Sequence, residues 1–295
     1  MVLFGVCWGA GAMSDRHLEI DRAVYQQEVV ALFDRRSATY DNDRDFHPPM
    51  ARRLVEAAGL QLGWRVLDLA TGTGQAAIVA AEQVGPMGLV VGIDCSAGML
   101  DRARTKSVGL VQVSWLLGDA QDPPFPPISF DAVLCSAAFA YLRDPLAALQ
   151  RWWQLLVPGG TVAFHGWSEQ SFVLGVLVQQ MAAEAGYPIN FHPLTQDRAA
   201  CADLLQRTGF EVQSIEAERQ QRPLSISSIE QSAATVLDNP ICLPLRLALG
   251  ADRLATFRQQ LHSKIAALLD ENGNLLDEWE TFYIVGRKPR WDRQL

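Results

Sequence analysis

The stretch RVLDLATGTGQAA, residues 65 to 77, constrains the fold more than any other part of this chain. Apolar Val66 and Leu67 lead into Gly72 and Gly74 and then into alanines, the pattern of a strand, a tight turn and a helix N-terminus. In open α/β sheets such a turn is where backbone N–H groups meet a ligand. Taken alone, it leaves that ligand open. Gly72, Gly74 and Ala77 fit the G-x-G-x-x-G/A dinucleotide pattern, and Asp94, 20 residues beyond Gly74, stands where a ribose-binding acid would sit in a nicotinamide enzyme.

From residue 64 to 166 short β-rich runs alternate with amphipathic stretches, which predicts an α/β domain with a largely parallel sheet. Strands are expected near 65–69, 89–94, 112–116, 130–135 and 160–165, and helices at 74–84, 97–106 and 145–156, the last closed by Pro158-Gly159-Gly160. The order reads β-α-β-α-β-α-β-α-β, with the least evident crossover around 118–128, where PPFPP forms a loop. Ahead of this block, residues 19–59 read as two helices separated by YDNDRDFHPP. After it come helical stretches at 168–186 and 196–208, a strand at 210–217 and a last strand at 279–287. Residues 218–278 are too many for a hairpin and are expected to hold helices, including 251–269, where Leu254, Phe257, Leu261, Ile265 and Leu268 form a packing stripe. The resulting plan is a disordered leader over 1–18, a helical segment over the ligand site at 19–63, a core at 64–217 and 279–288, a helical cap at 218–278 and a tail at 289–295.

The chain has 295 residues, 49% of them hydrophobic, enough for a sizeable core. Its formal charge of −8 argues against capture of nucleic-acid phosphates. Cys7, Cys95, Cys135, Cys201 and Cys242 are scattered with no CxxC or Cys/His cluster, so no metal site is expected and the thiols read as reduced, in a cytoplasmic protein. The opening MVLFGVCWGAGAM is apolar but lacks a positive start and is too short for a bilayer. An extension ahead of a second start at Met13 is the expectation, and no later run is apolar enough to span a membrane.

Three acids bear on the ligand. Asp68 stands four residues before Gly72, an unfavourable place for a carboxylate beside a pyrophosphate but a good one beside an ammonium group, so the ligand implied is cationic. Asp94, ending VVGID, suits the ribose of any adenosine-bearing cofactor. Asp119 and Ala120, in LLGDAQDPPF, stand where a side-chain oxygen can accept from an adenine amino group and a backbone N–H can reach a ring nitrogen.

VLDLATGTG, VVGIDCSAGML, GDAQDPPF, FDAVLCSAA and LVPGG, in this order and spacing, resemble the class I S-adenosylmethionine-dependent methyltransferases. The nearest likeness is to the small-molecule group that includes the ubiquinone and menaquinone methyltransferases, over about residues 30 to 215. Ala70 replaces the family's first motif glycine, a change also at home in the quinone variant. The resemblance implies a Rossmann-like α/β fold with a seven-stranded, mostly parallel sheet in the order 3-2-1-4-5-7-6, strand 7 antiparallel, with helices on both faces.

Carried over position by position, it implies that Asp68, Ala70, Gly72 and Gly74 surround the methionine moiety, Asp94 and the adjoining Cys95 the ribose, Met99 an adenine face, and Asp119 with Ala120 the adenine edge. Ser136 would lie near the sulfonium and Tyr40 would touch the cofactor's carboxylate. The implied reaction is methyl transfer from S-adenosylmethionine, leaving S-adenosylhomocysteine, with O- or C-methylation of a small hydrophobic or aromatic metabolite favoured over N-methylation. Base candidates are His165 at the end of the fifth strand, His47 in DFHPPM and His192 in NFHPL, whereas His17 and His262 read as exposed or structural. Phe139 and Tyr141 after the fourth strand border the methyl group or simply pack. A cap over residues 168–278, rich in Phe172, Leu174, Met181, Tyr187, Phe191, Leu243 and Leu245, is expected to roof an apolar acceptor pocket, the alternative being that its helices only pack on the sheet or form a homodimer contact. The alternatives are a catalytically silent cofactor-binding module and a nicotinamide-dependent oxidoreductase, in which Asp68 and Asp119 have no task. The acceptor and the oligomeric state are not encoded in any motif.

Overall fold

The computed structural model describes residues 20–42 and 45–290. The leader expected over 1–18, with His17 in it, and residues 291–295 of the tail lie outside the described residues. The chain runs α1 (Arg22–Arg36), a 3-10 turn (Tyr40–Asn42), α2 (His47–Ala58), β1 (Arg65–Leu69), α3 (Gln75–Val84), β2 (Leu89–Asp94), α4 (Ala97–Lys106), β3 (Val113–Leu117) and β4 (Phe130–Cys135). A 3-10 turn (Phe139–Tyr141) leads into α5 (Pro145–Leu155), β5 (Leu156–Trp167), α6 (Val173–Glu184), α7 (Arg198–Arg207), β6 (Glu211–Leu224), α8 (Ile226–Val236), α9 (Leu243–Ala266) and β7 (Leu275–Arg287).

The seven strands form one sheet in the order β3-β2-β1-β4-β5-β7-β6. Strands β1 to β5 pair in parallel, and β7 runs antiparallel between β5 and β6. This is the Rossmann-like arrangement that the family resemblance implies. Both faces are covered, as a parallel sheet requires. Alternation along β1 sends Leu67 and Leu69 into a cluster with Leu149 and Trp152 of α5 and Leu204 of α7. Val66 goes to the opposite cluster, with Leu54 and Val55 of α2 and Ala77 and Ala81 of α3.

Four local expectations change. The HPP of YDNDRDFHPP begins α2, because prolines at the first helical positions lose no intrahelical hydrogen bond. The crossover at 118–128 holds no helix, its four prolines leaving few N–H donors for one. LVPGG belongs to β5, Leu156 pairing with Phe130 across a bulge. Residues 218–224 and 275–278, placed in the cap by sequence, extend β6 and β7 into a ribbon beyond the last β5 pair, Trp167 with Thr281.

The cap carried by that ribbon has its own core. Leu174, Met181, Leu243 and Leu245 join Phe257, Leu261 and Ile265 there, with Tyr187 and Leu254 packed against them, whereas Leu268 is exposed. Gly250, at φ 68° and ψ 176°, breaks α9 into two helices, so the stripe begins only after the kink. Phe172 instead stacks on Trp279 at 5.8 Å in an aromatic cluster with Met50, Trp167 and Phe46.

Candidate active site

The strand order reverses between β1 and β4, and an open α/β sheet offers its ligand crevice at such a switch point, beyond the carboxyl ends of the strands. One pocket lies there. Ala70 and Gly72 line it after β1, Asp94, Cys95 and Met99 after β2, Asp119 and Ala120 after β3, and Ser136 after β4, with Tyr40 above. Asp68 and Gly74 do not line it.

The glycine turn explains that division. Ala70, Gly72 and Gly74 all have positive φ, at 51°, 55° and 81°. A Cβ on Gly72 would meet no atom within 4 Å, whereas one on Gly74 would stand 2.6 Å from the Trp115 ring. Gly74 therefore serves the packing of α3 against the sheet, and Gly72 keeps the backbone bare on the pocket side. Asp94, 7% exposed, accepts from Gly72 N–H at 2.7 Å and from Ser96 N–H at 2.9 Å. Burial raises its pKa, opposed by these backbone donors, and each oxygen retains a lone pair for a further donor.

Asp68 is wholly buried beneath the turn. Thr71 Oγ1 donates to its Oδ2 at 2.5 Å, while Oδ1 has no hydrogen-bond partner. Burial pushes this carboxyl up to about 7. A buried acid half satisfied in this way is stabilised by a cation arriving nearby, so its chemistry fits a ligand with an ammonium or sulfonium centre. Asp119 Oδ1 accepts from Gln121 N–H at 2.8 Å, and Oδ2 from Arg22 at 2.8 Å.

The roof is α1, which no motif marked. Arg22, Tyr25, Gln26, Val29 and Phe33 line the pocket from one helix face, with Tyr141 in edge contact with Phe33 at 5.1 Å. The Tyr25-Val29-Phe33 repeat at i, i+4 is the sequence signal for that face. Two aspartates fasten the roof. Asp34 Oδ1 accepts from Ser96 Oγ at 2.5 Å and from Gly98 N–H at 3.2 Å, and Asp41 accepts from Thr73, Gln75 and Lys106 at 2.7 to 2.9 Å. From the cap, Arg246 pairs with Glu28 at 2.6 Å.

A second cavity opens beside the first. Phe139, Trp167, Phe191 and Leu194 line it, together with His165, His192 and, from the cap, Ile241 and Pro244. Tyr25, Leu142 and Arg143 line both cavities. Of the aromatic cap residues expected here, only Phe191 reaches the wall. Phe139 stacks on Phe164 at 4.5 Å.

The histidines separate by environment. His165 has no exposed surface, and its Nδ1 accepts from Ala137 N–H at 3.0 Å, with Ser136 Oγ at 3.4 Å. The basic nitrogen is thus committed to the turn after β4, where Ala137 has φ 55°. Burial pushes His165 down to about 3. A sheet-mouth base was the expectation; in the structure the ring lines the second cavity, and its accepting nitrogen is already taken by the Ala137 N–H. His47 stacks on Tyr40 at 4.3 Å at the start of α2 and lines neither cavity. His192 tilts against Trp167 at 5.6 Å, and burial pushes it down to about 4. His262 is exposed on α9.

A methyltransferase-domain family model matches residues 66–160. Over 143 residues the chain is 41% identical to an aklanonic acid methyltransferase of a Streptomyces species, covering 48% of this chain and 65% of that protein. It is 33% identical over 219 residues to nocamycin O-methyltransferase of Saccharothrix syringae, covering 67% and 78%. It is 32% identical over 206 residues to 2-phytyl-1,4-naphthoquinone methyltransferase of Thermosynechococcus vestitus, covering 62% and 90%. The chain belongs to the class I S-adenosylmethionine-dependent methyltransferases. Within that family it resembles the menaquinone-type enzymes. For this methyltransferase the pocket at the switch point is lined by the residues to which the resemblance gives the cofactor. Among the described residues no group of three His, Cys, Asp or Glu is arranged to hold a metal ion, and no helix is long and apolar enough to cross a membrane.

Proposed function

We propose that this methyltransferase methylates an oxygen of a small, hydrophobic, aromatic or polyketide-like metabolite in the cytoplasm. The observation that carries the reading is the second cavity, walled largely by aromatic and apolar side chains and meeting the cofactor pocket at Tyr25, Leu142 and Arg143. The names of the relatives support this reading, being those of a methyltransferase for aklanonic acid, an O-methyltransferase for nocamycin and a methyltransferase for a phytyl-naphthoquinone.

S-adenosylmethionine, when bound, supplies a methyl group already activated on a sulfonium. The chain's residues have the remaining work. Asp94 holds the ribose, Asp119 and Ala120 the adenine edge, Met99 an adenine face, and Tyr40 the carboxylate end. Gly72 and Ala70 give backbone approach, and Asp68 adds negative charge under the cation. Alignment of the acceptor in the second cavity supplies most of the rate, on the order of 7–11 kcal/mol for a well-oriented pair. His192 lines that cavity with its Nδ1 unpartnered and is the candidate to take a proton from an acceptor hydroxyl; burial, which pushes it down to about 4, keeps it neutral at pH 7 but makes it a weak base until a bound acceptor changes its surroundings.

Calorimetric titration with S-adenosylmethionine, S-adenosylhomocysteine and NAD tests the cofactor assignment. Incubation with hydroxylated naphthoquinones and aromatic polyketide acids, read by mass spectrometry as addition of one methyl group, tests the acceptor class. Binding of NAD in place of the sulfonium compound would overturn the reading.

A further inference from the structure

The geometry points to Tyr25 as the residue whose hydroxyl meets the acceptor's nucleophilic atom at the place of methyl transfer. The inference rests on the methyl-transfer reading and adds a residue that no motif marks.

Tyr25 is the one buried residue of α1, 9% exposed, on a helix otherwise held down by polar ties at its ends and flank. It lines both cavities. Where a cofactor pocket and an acceptor cavity share a wall, the transferred group passes at that wall, and a side chain bordering both is within reach of the two reactants. Leu142 has no polar atom to offer. Arg143, the third shared residue, is largely exposed, and its guanidinium donates to the Ile20 carbonyl at 3.5 Å.

The phenol has no partner of its own. Its backbone N–H donates to Asp21 O at 3.1 Å, but its hydroxyl makes no hydrogen bond to any described residue. Tyr141, which also lines the cofactor pocket, differs in this respect, since its hydroxyl accepts from Asn239 at 3.2 Å. The ring is mostly buried while the residue borders both cavities, so the unpaired hydroxyl is open to a ligand that enters either one. Burial raises the Tyr25 pKa, so the phenol stays protonated and acts as a hydrogen-bond donor and acceptor, not as an anion. An oxygen nucleophile held by such a donor is oriented without being deprotonated by it. Proton removal stays with another group.

Sinefungin tests this without knowledge of the acceptor, because it carries an amine in the place of the transferable methyl group. That amine lies where the hydroxyl is proposed to reach, and S-adenosylhomocysteine has nothing there. Tyr25→Phe keeps the ring in its place in α1. Calorimetry should show sinefungin weakened about tenfold in the variant while S-adenosylhomocysteine stays within about twofold, as expected for loss of one hydrogen bond to a charged group. Equal weakening of both ligands, or no change in either, overturns the role. A structure of the unaltered protein with sinefungin provides a second reading: the amine within about 3 Å of the Tyr25 hydroxyl agrees, and a clear separation overturns it. Failure of the unaltered protein to bind S-adenosylhomocysteine would instead remove the cofactor reading, and Tyr25's role with it.

Discussion

Gly72 donates its backbone N–H to Asp94 Oδ2 at 2.7 Å, tying the turn after β1 to the end of β2. The acid proposed to bind the ribose therefore also sets the shape of the turn. Asp94→Ala should weaken S-adenosylmethionine by about 1.5–3 kcal/mol, the worth of hydrogen bonds to a charged group. The same variant leaves the Gly72 and Ser96 N–H groups without their acceptor, so its urea midpoint should also fall. Unchanged affinity in calorimetry would remove the ribose assignment.

The two glycines of the turn should respond differently. Gly72→Ala has space for its methyl group but must hold a positive φ, costing about 1–2 kcal/mol. Gly74→Ala carries the same backbone strain and adds an overlap with Trp115, for a further cost of about 1–3 kcal/mol. Thermal melts should rank Gly74→Ala as clearly the less stable. Cofactor affinity per folded molecule should suffer more from Gly72→Ala.

His192→Gln should lower turnover by about 10²–10⁴-fold if the acceptor loses a proton in the step, with S-adenosylhomocysteine affinity unchanged. Rates measured from pH 5 to 9 on an acceptor found by the mass screen would check this. A variant with normal turnover would leave His192 as a wall residue only.

The pH dependence of stability offers an independent check on His192. Its pKa is about 4 in the folded protein and about 6.5 in the unfolded chain. Between those values the unfolded state binds more protons, so this group's contribution is present at neutral pH and is lost as pH falls, by about 1.4 kcal/mol per unit. His165, held near 3, acts in the same direction, while Asp68, raised to about 7, acts oppositely. The wild-type slope is a balance of these groups. The difference between His192→Gln and wild type isolates one of them, and in urea titrations the variant should gain on wild type as pH drops from 6 to 5.

Asp34→Ala removes the clamp between α1 and the start of α4. Limited proteolysis should then cut residues 20–42 faster, and S-adenosylhomocysteine should suppress that cleavage less than in wild type. Equal protection in both proteins would mean that Arg22–Asp119 and Glu28–Arg246 suffice to hold the roof.

Alternating strand and helix patterns determined the α/β class of this methyltransferase, the resemblance carried by its motifs supplied the sheet order, and the residues flooring the pocket were legible because each acts through neighbours a few positions away. A glycine turn needs its positive φ locally, and an acid at a strand end needs only the strand before it, so Gly72, Asp94, Asp119 and Ser136 were legible in sequence. The packing demand on Gly74 was not legible, because the atom that excludes a side chain there belongs to Trp115, on a different strand. His165 drew attention by its position at the end of β5, yet its partner, the Ala137 N–H, comes from the loop after β4. A helical segment over the site was expected from sequence at 19–63, but which of its residues face the pocket, and the acceptor cavity beside it, were settled only in three dimensions. Tyr25 sits in a helix with no motif, and its meaning comes from two cavities built by β4, β5, the 190–195 loop and the cap. Contacts across that much sequence depend on how helices pack on the sheet, which no periodicity within one helix records.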